Sequence, residues 1–448
     1  MTDTIYDFVA IGLGPFNLGL ACLSDNIDGL NGLVIEQKAE FNWHPDMMLE
    51  SAHLQTPFMS DLVTLADPTH PLSFLNYAKQ SGRLYSFYIR EDFFLMRSEY
   101  NQYCRWAIEK LSNVKFNQRV ESVEYDDINE TYIISVSELN KNGEINRTRT
   151  LLSKRLVLGT GPSPSIPQVA QDLSSNTLHS SEYLIQKIKL QKQKSITIVG
   201  SGQSAAEIYY DLLQDIDTFN YELNWITRSP RFFPLEYSKL TLEMTSPEYV
   251  DYFHSLPADK RDELITKQKH LYKGINSELI NSIYDLLYIK RLKGHVKTRL
   301  MTNSSLVGAT NTDSNIKLEF YQEEQEQSFF IDTHSVLFAT GYSYQPPSFL
   351  KPISDHIAWD HKGRFAVNRN YSIDTNGNSL FVQNAELHTH GFVSPDLGMA
   401  CYRNSYLIKE FLGYEYYPIE TRIAFQEFAA PVNKDNKLTA TQEAVFAS

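Results

Sequence analysis

The stretch that decides the fold is YDFVAIGLGPFNLGL, residues 6–20. Residues 7–11 form a short, mostly apolar run, which predicts a buried strand. Gly12 and Gly14 follow directly, and a helical pattern begins at Pro15. A strand, a glycine turn and a helix in this order predict a dinucleotide-binding unit. The first glycine permits a tight turn, the second lets the backbone approach a pyrophosphate, and the helix N-terminus offers free N–H groups.

Two further features belong to the same unit. The apolar run at residues 32–35 predicts a second strand, and Glu36 ends it at the spacing expected for an acceptor of a ribose hydroxyl. Asn17 stands where the third glycine of the pattern is usual. The alternative is an ordinary tight turn between a strand and a helix, but the strand, the helix and Glu36 together favour a dinucleotide site.

Size and charge narrow the range of partners. A chain of 448 residues with 42% hydrophobic residues is long enough for two or three domains with proper cores. Its net charge of −13 argues against a nucleic-acid partner, since phosphate binding requires a basic face.

The cysteines and the apolar runs bear on compartment. Cys22, Cys104 and Cys401 are far apart and form no CxxC motif, so we expect buried free thiols and no metal site. The sequence shows no signal peptide before the first strand and no apolar run long enough to cross a bilayer. We therefore expect a cytoplasmic protein without a membrane partner.

A second dinucleotide unit begins near the middle of the chain. Residues 195–199 predict a strand, and GSGQSAAE at residues 200–207 predicts the turn and helix, with Ala205 at a third position where alanine is permitted. The next predicted strand, residues 223–227, ends at Arg228. A cation where an acid would otherwise bind a ribose favours a 2′-phosphate, and hence NADPH, although a surface arginine is the simpler alternative.

Two such units in one chain indicate electron transfer between two cofactors. The usual pair is FAD on the first unit and NADPH on the second, with hydride passing from nicotinamide to flavin. A disulfide reductase would need a redox cysteine pair, which this sequence lacks, so oxygen is the expected acceptor. The expected reactive species is C4a-hydroperoxyflavin, which must be kept from water until a nucleophile takes its distal oxygen.

The predicted fold class is therefore α/β, with two Rossmann-like dinucleotide-binding domains, for FAD and for NADPH, and an inserted helical substrate region. The predicted segments are residues 1–168 and 345–430 for the FAD domain, 169–230 and 300–344 for the NADPH domain, 231–299 for the helical insertion, and 431–448 for a disordered tail. Residues 140–149 are polar and predict a surface turn, and residues 332–342 predict one strand ending in Ala-Thr-Gly.

The motifs resemble those of the flavin-dependent N-hydroxylating monooxygenases of siderophore biosynthesis, which hydroxylate lysine, ornithine or diamines. The resemblance extends from residue 7 to about residue 406. It depends on GLGPFNL (12–18), NWHP (42–45), LQT (54–56), HSSEY (179–183), GSGQSAA (200–206), RFFP (231–234), ATGY (339–342) and HGF (390–392). Asparagine at position 17 is typical of that family.

The resemblance implies a set of cofactor-binding residues. Those implied to hold the FAD pyrophosphate and ribose are Gly12, Gly14 and Glu36. Those implied to lie along the flavin are Trp43, His44, Gln55, Leu397 and Gly398, the last often a serine in the family. Those implied to hold NADPH are Gly200, Gly202, Gln203, Ser204 and Arg228. Pro15, Asn17, Gln37 and Gly341 complete the predicted cofactor-binding set, and no catalytic side chain is predicted because the flavin performs the chemistry.

The substrate prediction depends on two departures from the family pattern. In the amino-acid hydroxylases of the family that this chain resembles, the pattern is Phe-Leu-Lys-Asp-Leu, and its lysine is thought to bind the substrate carboxylate. Here the corresponding residues are FMSDL, with Ser60 in place of the lysine. The ornithine enzymes carry an asparagine where this chain has Leu242. Burying a carboxylate without partners costs several kcal/mol, so we expect a substrate that has no carboxylate.

That substrate is an aliphatic diamine such as putrescine or cadaverine. Its far ammonium would need an acid or an aromatic face, for which Glu243, Asp396 and Phe58 are candidates. The alternative is that Ser60 lies outside the pocket and that Lys239 or another cation binds the carboxylate of lysine or ornithine.

Other functional classes remain as alternatives. Baeyer–Villiger monooxygenases carry Phe-x-Gly-x-x-x-His before the second unit, and residues 174–179, SSNTLH, lack its phenylalanine and glycine. A nucleotide-binding redox sensor would not be an enzyme at all. The expected partners are an amine substrate and O2, and the resemblance implies a homo-oligomer, either a tetramer or a dimer.

Overall fold

Two parallel sheets carry the two glycine turns. The computed structural model describes residues 4–173 and 176–431, so the predicted disordered tail beyond residue 431 lies outside the described residues. Strands and helices are numbered here in chain order. The strands of the first parallel sheet are β2 (Phe8–Ile11), β3 (Gly32–Ile35), β6 (Val114–Lys115), β10 (Leu156–Leu158) and β21 (Leu380–Val382). Their order is β21-β10-β2-β3-β6. β2 and β10 are buried along their whole length, which explains their continuous apolar sequence.

A second layer covers one face of this sheet. Its strands are β1 (Ile5–Tyr6), β7 (Gln118–Asp126), β8 (Thr131–Leu139) and β9 (Ile145–Ser153). β7, β8 and β9 form an antiparallel meander, and β1 pairs with β9 in parallel. The predicted surface turn at residues 140–149 is therefore wrong in its second half. The turn ends by residue 144, and β9 begins at Ile145 because it pairs with β8 and with the distant β1.

The second parallel sheet repeats the arrangement of the first. Its strands are β12 (Thr177–His179), β13 (Ser195–Val199), β14 (Glu222–Ile226), β15 (Thr298–Met301) and β19 (Ser335–Phe338), in the order β12-β19-β13-β14-β15. An antiparallel sheet of β16 (Ser304–Asn311), β17 (Ile316–Gln322) and β18 (Gln327–Thr333) follows β15. The single strand predicted at residues 332–342 is thus wrong, because the chain passes from β18 to β19 at His334 and leaves the sheet after Phe338.

Two short strand pairs complete the sheets. The two chain segments that connect the parallel sheets pair with each other through β11 (Ser163–Pro164) and β20 (Tyr342–Ser343), which are antiparallel. β4 (His53–Pro57) pairs with β5 (Phe94–Met96).

Helices accompany both parallel sheets and build the insertion between β14 and β15. Those of the first unit are α1 (Pro15–Ser24), α2 (Phe74–Gln80), α3 (Leu84–Arg90), α4 (Arg97–Ile108), α12 (Leu387–His390) and α13 (Ala400–Leu412). Those of the second unit are α5 (Tyr183–Gln191) and α6 (Gln203–Phe219). Those of the helical insertion are α7 (Lys239–Leu242), α8 (Pro247–Ser255), α9 (Ala258–Lys267), α10 (Lys269–Tyr272) and α11 (Ser277–Lys293).

The three cysteines are free and buried, as predicted. Among residues 4–173 and 176–431, no helix is long and apolar enough to cross a membrane.

Candidate active site

One large cavity lies where the two glycine-turn units and the helical insertion meet. Its volume is about 1330 Å³, and residues from all three parts of the chain line it. Pockets for a single small molecule usually measure about 300–1,000 Å³. The cavity is therefore large enough to hold more than one ligand at a time.

The first glycine turn forms one end of this cavity. Gly12 has a φ of +90°, and a Cβ on it would lie 2.6 Å from the carbonyl oxygen of Gly159, so only glycine fits. A Cβ on Gly14 would meet nothing within 4 Å, because this glycine faces the cavity. Gly14 is the N-cap of α1, and Pro15 is the first helical residue. The turn thus offers an open, backbone-lined cradle that fits a pyrophosphate.

Asn17 replaces the third glycine by bracing the turn. Its side chain is fully buried; Nδ2 donates to the Gly12 carbonyl at 2.7 Å, and Oδ1 accepts from Gln383 Nε2 at 2.8 Å. A Cβ on Gly159 would collide with the Asn17 amide, so the usual requirement for glycine has moved to the neighbouring strand end. Although Asn17 also lines the cavity, its hydrogen bonds hold the cradle in shape.

Glu36 lies at the end of β3, beside the same turn. Oε2 accepts the Leu13 N–H at 2.8 Å, and Oε1 accepts the Lys38 N–H at 2.9 Å. Glu36 and Gln37 line the cavity, so the carboxylate is oriented by the backbone and still has lone pairs for a hydroxyl group. These contacts fit the ribose role that the sequence predicts.

Trp43, His44 and Gln55 form a wall of the cavity. His44 has a φ of +50°, and its ring contacts Trp43 and Tyr342 with centroids 5.0 and 6.1 Å apart. Burial, followed by the charges of Arg97 and Lys38, lowers the pKa of His44 to about 4. The imidazole is therefore neutral at pH 7 and suits contact with an aromatic ring system.

The second glycine turn lies at the edge of the cavity. Of the predicted NADPH residues, Ser204 lines the cavity itself, whereas Gly200, Gly202, Gln203 and Arg228 lie outside its lining. Gly341, predicted to bind a cofactor, also lies outside it. Gly200 packs against the Ala339 carbonyl so closely that a side chain would collide with it. Arg228 is exposed at the end of β14, where a 2′-phosphate could reach it.

The Gln203 side chain is engaged within the protein. Nε2 donates to Glu207 at 2.8 Å, and Oε1 accepts the Asn276 N–H at 2.8 Å and lies 3.5 Å from Gln55 Nε2. Its amide therefore joins the second turn to the helical insertion and to β4. A role for Gln203 in NADPH binding is left to its backbone N–H.

An ion pair lies beside the Gln203 amide and could not be predicted from the local sequence. Arg97, at the start of α4, donates to both carboxylate oxygens of Glu207 on α6, at 2.8 and 2.9 Å. Both side chains are largely buried, and the residues are 110 positions apart in the chain. This bidentate pair ties the first unit to the second beside the cavity.

Three of the predicted substrate residues line the cavity, and two of them, Ser60 and Asp396, lie close together. Ser60, Leu242 and Asp396 all line it. Asp396 Oδ1 accepts the Gly398 N–H at 2.8 Å and thereby caps the 3-10 turn Leu397–Met399. A Cβ on Gly398 would lie 3.2 Å from Asp396 Oδ1 and 3.5 Å from Ser60 Oγ, so the groups are close neighbours.

The Asp396 carboxylate is a candidate binding group for a cation. Burial raises the pKa of its carboxyl group, although the Gly398 N–H and the charge of Arg403 oppose that effect. Arg403 itself is paired with Glu386 at 2.9 Å. A cation that bound Asp396 would favour its ionised form.

Two predicted substrate residues are placed elsewhere, and those predictions are wrong. The Phe58 ring packs among Phe74, Phe87 and Phe93, with centroids 5.4–6.1 Å away, because the turn after β4 directs it into an aromatic cluster. Glu243 follows α7 and points away from the cavity, where its carboxylate accepts the backbone N–H groups of two residues near the C-terminal end of the described chain.

Several cavity residues were not predicted. They are Tyr237, Thr241, Thr245, Tyr272 and Phe392. Burial and the charge of Asp396 both raise the pKa of Tyr237, which places the phenol near that carboxylate. These side chains lie in short helices and irregular segments, over which no periodic signal could have identified them.

The fold and the cavity define the class of protein. It is a flavoprotein with two dinucleotide-binding units whose glycine turns lie at one shared cavity. The chain belongs to the L-lysine 6-monooxygenase/L-ornithine 5-monooxygenase family, whose sequence profile matches residues 4–344. It is thus a flavin-dependent N-monooxygenase, and the predicted family, fold class and enzyme class are confirmed.

Three relatives are the most informative. The putrescine N-hydroxylase of Shewanella oneidensis is 54% identical over 426 residues, which cover 95% of this chain and 84% of that protein. The putrescine N-hydroxylase of Acinetobacter baumannii is 48% identical over 95% of this chain and 94% of its own length. The crystal structure of FAD-bound DfoA, a cadaverine monooxygenase of desferrioxamine biosynthesis from Erwinia amylovora, is 60% identical, with a TM-score of 0.93, and covers 96% of this chain and 100% of that one.

Proposed function

We propose that this protein hydroxylates one primary amine of an aliphatic diamine, putrescine or cadaverine, with FAD, NADPH and O2, as a step in siderophore biosynthesis. The activities named for the relatives support this proposal. The single observation that carries it is that Asp396 adds a negative charge to the cavity close to Ser60. Ser60 and Leu242, the positions that the resemblance links to carboxylate binding, line the cavity and carry neither a cation nor an amide.

The charges around the cavity favour a dication over an amino acid. The lysine and arginine side chains that line it, among the described residues, belong to Lys38 and Arg97. Lys38 follows the ribose-binding position, and Arg97 is paired with Glu207. Lys239, the alternative cation, is exposed and does not line the cavity. A substrate carboxylate would thus meet Asp396 without compensation, which is unfavourable in a partly dry site.

The cofactor roles follow from the fit of each turn. Gly12, Gly14 and Glu36 would hold FAD, with Trp43, His44, Gln55, Leu397 and Gly398 beside its ring system; Gly200, Gly202, Ser204 and Arg228 would hold NADPH. Once reduced by NADPH, bound FAD supplies the oxygen-activating chemistry. The chain contributes binding, orientation and exclusion of water around the reacting amine.

The two nitrogens of the diamine need opposite protonation states. The far nitrogen stays protonated because the Asp396 carboxylate stabilises its positive charge. The reacting nitrogen must be neutral to act as a nucleophile, and transfer into a dry part of the cavity lowers the pKa of an amine. One site can therefore hold a molecule that is charged at one end and reactive at the other.

The proposal is tested by a product assay across an amine panel. Purified protein should be yellow with bound FAD, and NADPH oxidation should match hydroxylamine formation with putrescine or cadaverine. Lysine and ornithine should give slow NADPH oxidation and little product. A higher kcat/KM for an amino acid would overturn the substrate assignment, and no NADPH consumption with any amine would favour a redox sensor.

We also propose that the enzyme works in the cytoplasm as a homo-oligomer, a dimer or a tetramer. The resemblance to biosynthetic enzymes that use NADPH supports this proposal, and light scattering of the purified protein measures the oligomeric state directly.

A further inference from the structure

The C-terminal end of the described chain crosses the outer side of the helical insertion. We call residues 418–430 the C-terminal strap. It starts beside Tyr417, which is buried and donates from its hydroxyl group to the Leu23 carbonyl at 2.8 Å, near the end of α1. Ala424, further along, is buried against the insertion. The strap therefore begins on the helix of the first glycine turn and ends on a different part of the protein.

Two carboxylates of the insertion hold the strap by its backbone. Glu248 Oε1 accepts the N–H groups of Ile423 and Ala424 at 2.7 and 3.0 Å. Glu243 accepts those of Phe425 and Gln426 at 3.1 and 3.0 Å. Four consecutive N–H groups of a segment without regular structure thus find acceptors on two glutamates. Bonds from backbone N–H groups to an ionised acceptor are among the stronger hydrogen bonds in proteins.

Side chains of the strap add to this attachment. The Gln426 amide donates to the Leu240 carbonyl at 2.5 Å and to Glu243 at 3.0 Å. The Phe428 ring packs edge-on against Tyr249 with centroids 5.1 Å apart, and Tyr249 in turn packs against Phe392 at 5.6 Å. Since Phe392 lines the cavity, a continuous aromatic contact leads from the strap to the cavity wall.

The other side of the same insertion faces the substrate. Thr241, Leu242 and Thr245 line the cavity, whereas Glu243, between them in the chain, faces outward to the strap. α7 has only four residues, and a single helical turn is not stable by itself. Its position therefore depends on contacts with the rest of the protein, and the strap supplies four hydrogen bonds to Leu240 and Glu243 at this turn.

We propose that Glu243 and Glu248 are positioning residues for N-hydroxylation. By holding the C-terminal strap they fix α7, and with it Leu242 and Thr245, at the wall of the substrate pocket. The hydrogen bonds and ring contacts that hold the described strap are made to the helical insertion, and none of their partners is assigned to either nucleotide. The strap should therefore set substrate affinity and the fraction of NADPH oxidation that yields product, without changing the reduction of FAD. The inference relies on the proposed diamine activity only for the identity of the molecule that α7 contacts.

Full-length Glu243→Ala, Glu243→Gln and Glu248→Ala variants test the proposal. Glu278→Ala is the matched control, since Glu278 is an exposed acid in the first turn of α11 whose carboxylate accepts no hydrogen bond from a described residue. In Glu243→Ala we expect KM for putrescine to rise on the order of tenfold and more hydrogen peroxide per NADPH oxidised, because a small misplacement of a substrate contact has large kinetic effects. The rate of flavin reduction and KM for NADPH should stay unchanged.

The conservative variant separates positioning from general stability. Glu243→Gln keeps one of the two acceptor oxygens that Phe425 and Gln426 use, so it should recover part of the wild-type KM. If Glu243→Ala lowers the melting temperature but leaves KM and the peroxide yield unchanged, the glutamate is merely structural and the proposal is wrong. The same conclusion follows if Glu278→Ala reproduces the kinetic effects.

A readout without substrate keeps the inference independent of the proposed function. The amides of Leu242 and Thr245 donate within α7 and its C-terminal turn to Ser238 and Leu242. In Glu243→Ala, hydrogen–deuterium exchange at these amides should become faster while exchange in α11 stays the same. Unchanged exchange around α7 would overturn the proposal even if the amine panel supports diamine hydroxylation. Faster exchange supports the coupling of the strap to α7 even if the amine panel rejects diamine hydroxylation.

Discussion

Replacing Asp396 by asparagine removes one charge from the substrate end of the cavity and little else. The amide oxygen of asparagine can still accept the Gly398 N–H that Asp396 Oδ1 accepts at 2.8 Å, so the turn Leu397–Met399 keeps its cap. Neither glycine turn lies on this element. Asp396→Asn therefore tests the carboxylate as the partner of the far ammonium, separately from its role in the backbone.

The size of the effect follows from the burial of the group. A hydrogen bond to a charged group in a partly buried site contributes about 1.5–3 kcal/mol. Since each 1.4 kcal/mol corresponds to about a tenfold change in affinity, KM for putrescine should rise roughly 10- to 150-fold. KM for NADPH should not change. The loss should be greatest at pH values where Asp396 is ionised in the wild-type protein, because burial raises its pKa.

Butylamine makes the assay selective, because it has the four-carbon chain of putrescine but no far ammonium. Wild-type enzyme should bind butylamine more weakly than putrescine, and Asp396→Asn should remove most of this preference, as in a double-mutant cycle. If the substitution raises KM for putrescine and butylamine equally, Asp396 shapes the pocket without pairing with the ammonium. That result would refute the reasoning about the substrate.

Three further predictions follow from other charged groups. Arg228→Ala should raise KM for NADPH about 10- to 100-fold but leave KM for NADH unchanged, and equal effects would reject the phosphate contact. Arg97→Met leaves Glu207 buried without its partner, so the free energy of unfolding in urea should fall by about 3–5 kcal/mol; a loss below about 1 kcal/mol would contradict a buried pair. Burial raises the pKa of Asp262, but the hydrogen bonds and charges of Arg364 and Lys362 together outweigh it and lower the pKa to about 2. The ionised Asp262 therefore stabilises the folded protein fully at pH values above the pKa that it has in the unfolded chain. The difference in Tm between wild type and Asp262→Asn should close as pH falls from about 4 to about 2, and a constant difference would refute this prediction.

The glycine turns could be predicted because their information is local. A strand, a turn that only glycine can form and a helix start occupy one continuous stretch, and the structure places both stretches as expected. Glu36 could be found for the same reason, since it ends the strand next to the turn. Asn17 fits this rule as well, because its buried side-chain amide forms a hydrogen bond with the glycine turn that directly precedes it in the chain.

The substrate residues were harder, because their roles depend on side-chain direction. Phe58 and Ser60 are two positions apart in one turn, yet only Ser60 reaches the cavity. Leu242 and Glu243 are adjacent, and the end of α7 turns one inward and the other outward. No periodic pattern exists over such short segments. The sequence could therefore predict which segments lie near the substrate, but not which of their residues face the cavity. β9 was missed for a related reason, since its pairing with β1 joins residues far apart in the chain.

The relation between the two nucleotide units depends on still longer separations. Gln55 comes from β4, Gln203 from the second turn and Asn276 from the helical insertion, yet one amide joins all three. Arg97 and Glu207 fix the same junction, and a shift of one unit relative to the other would leave a charge buried without its partner. Hydride transfer requires the two cofactors at one distance and angle. A few polar contacts between distant segments can enforce that geometry, and so the most reaction-specific part of this fold is also the part least visible in any local stretch of its sequence.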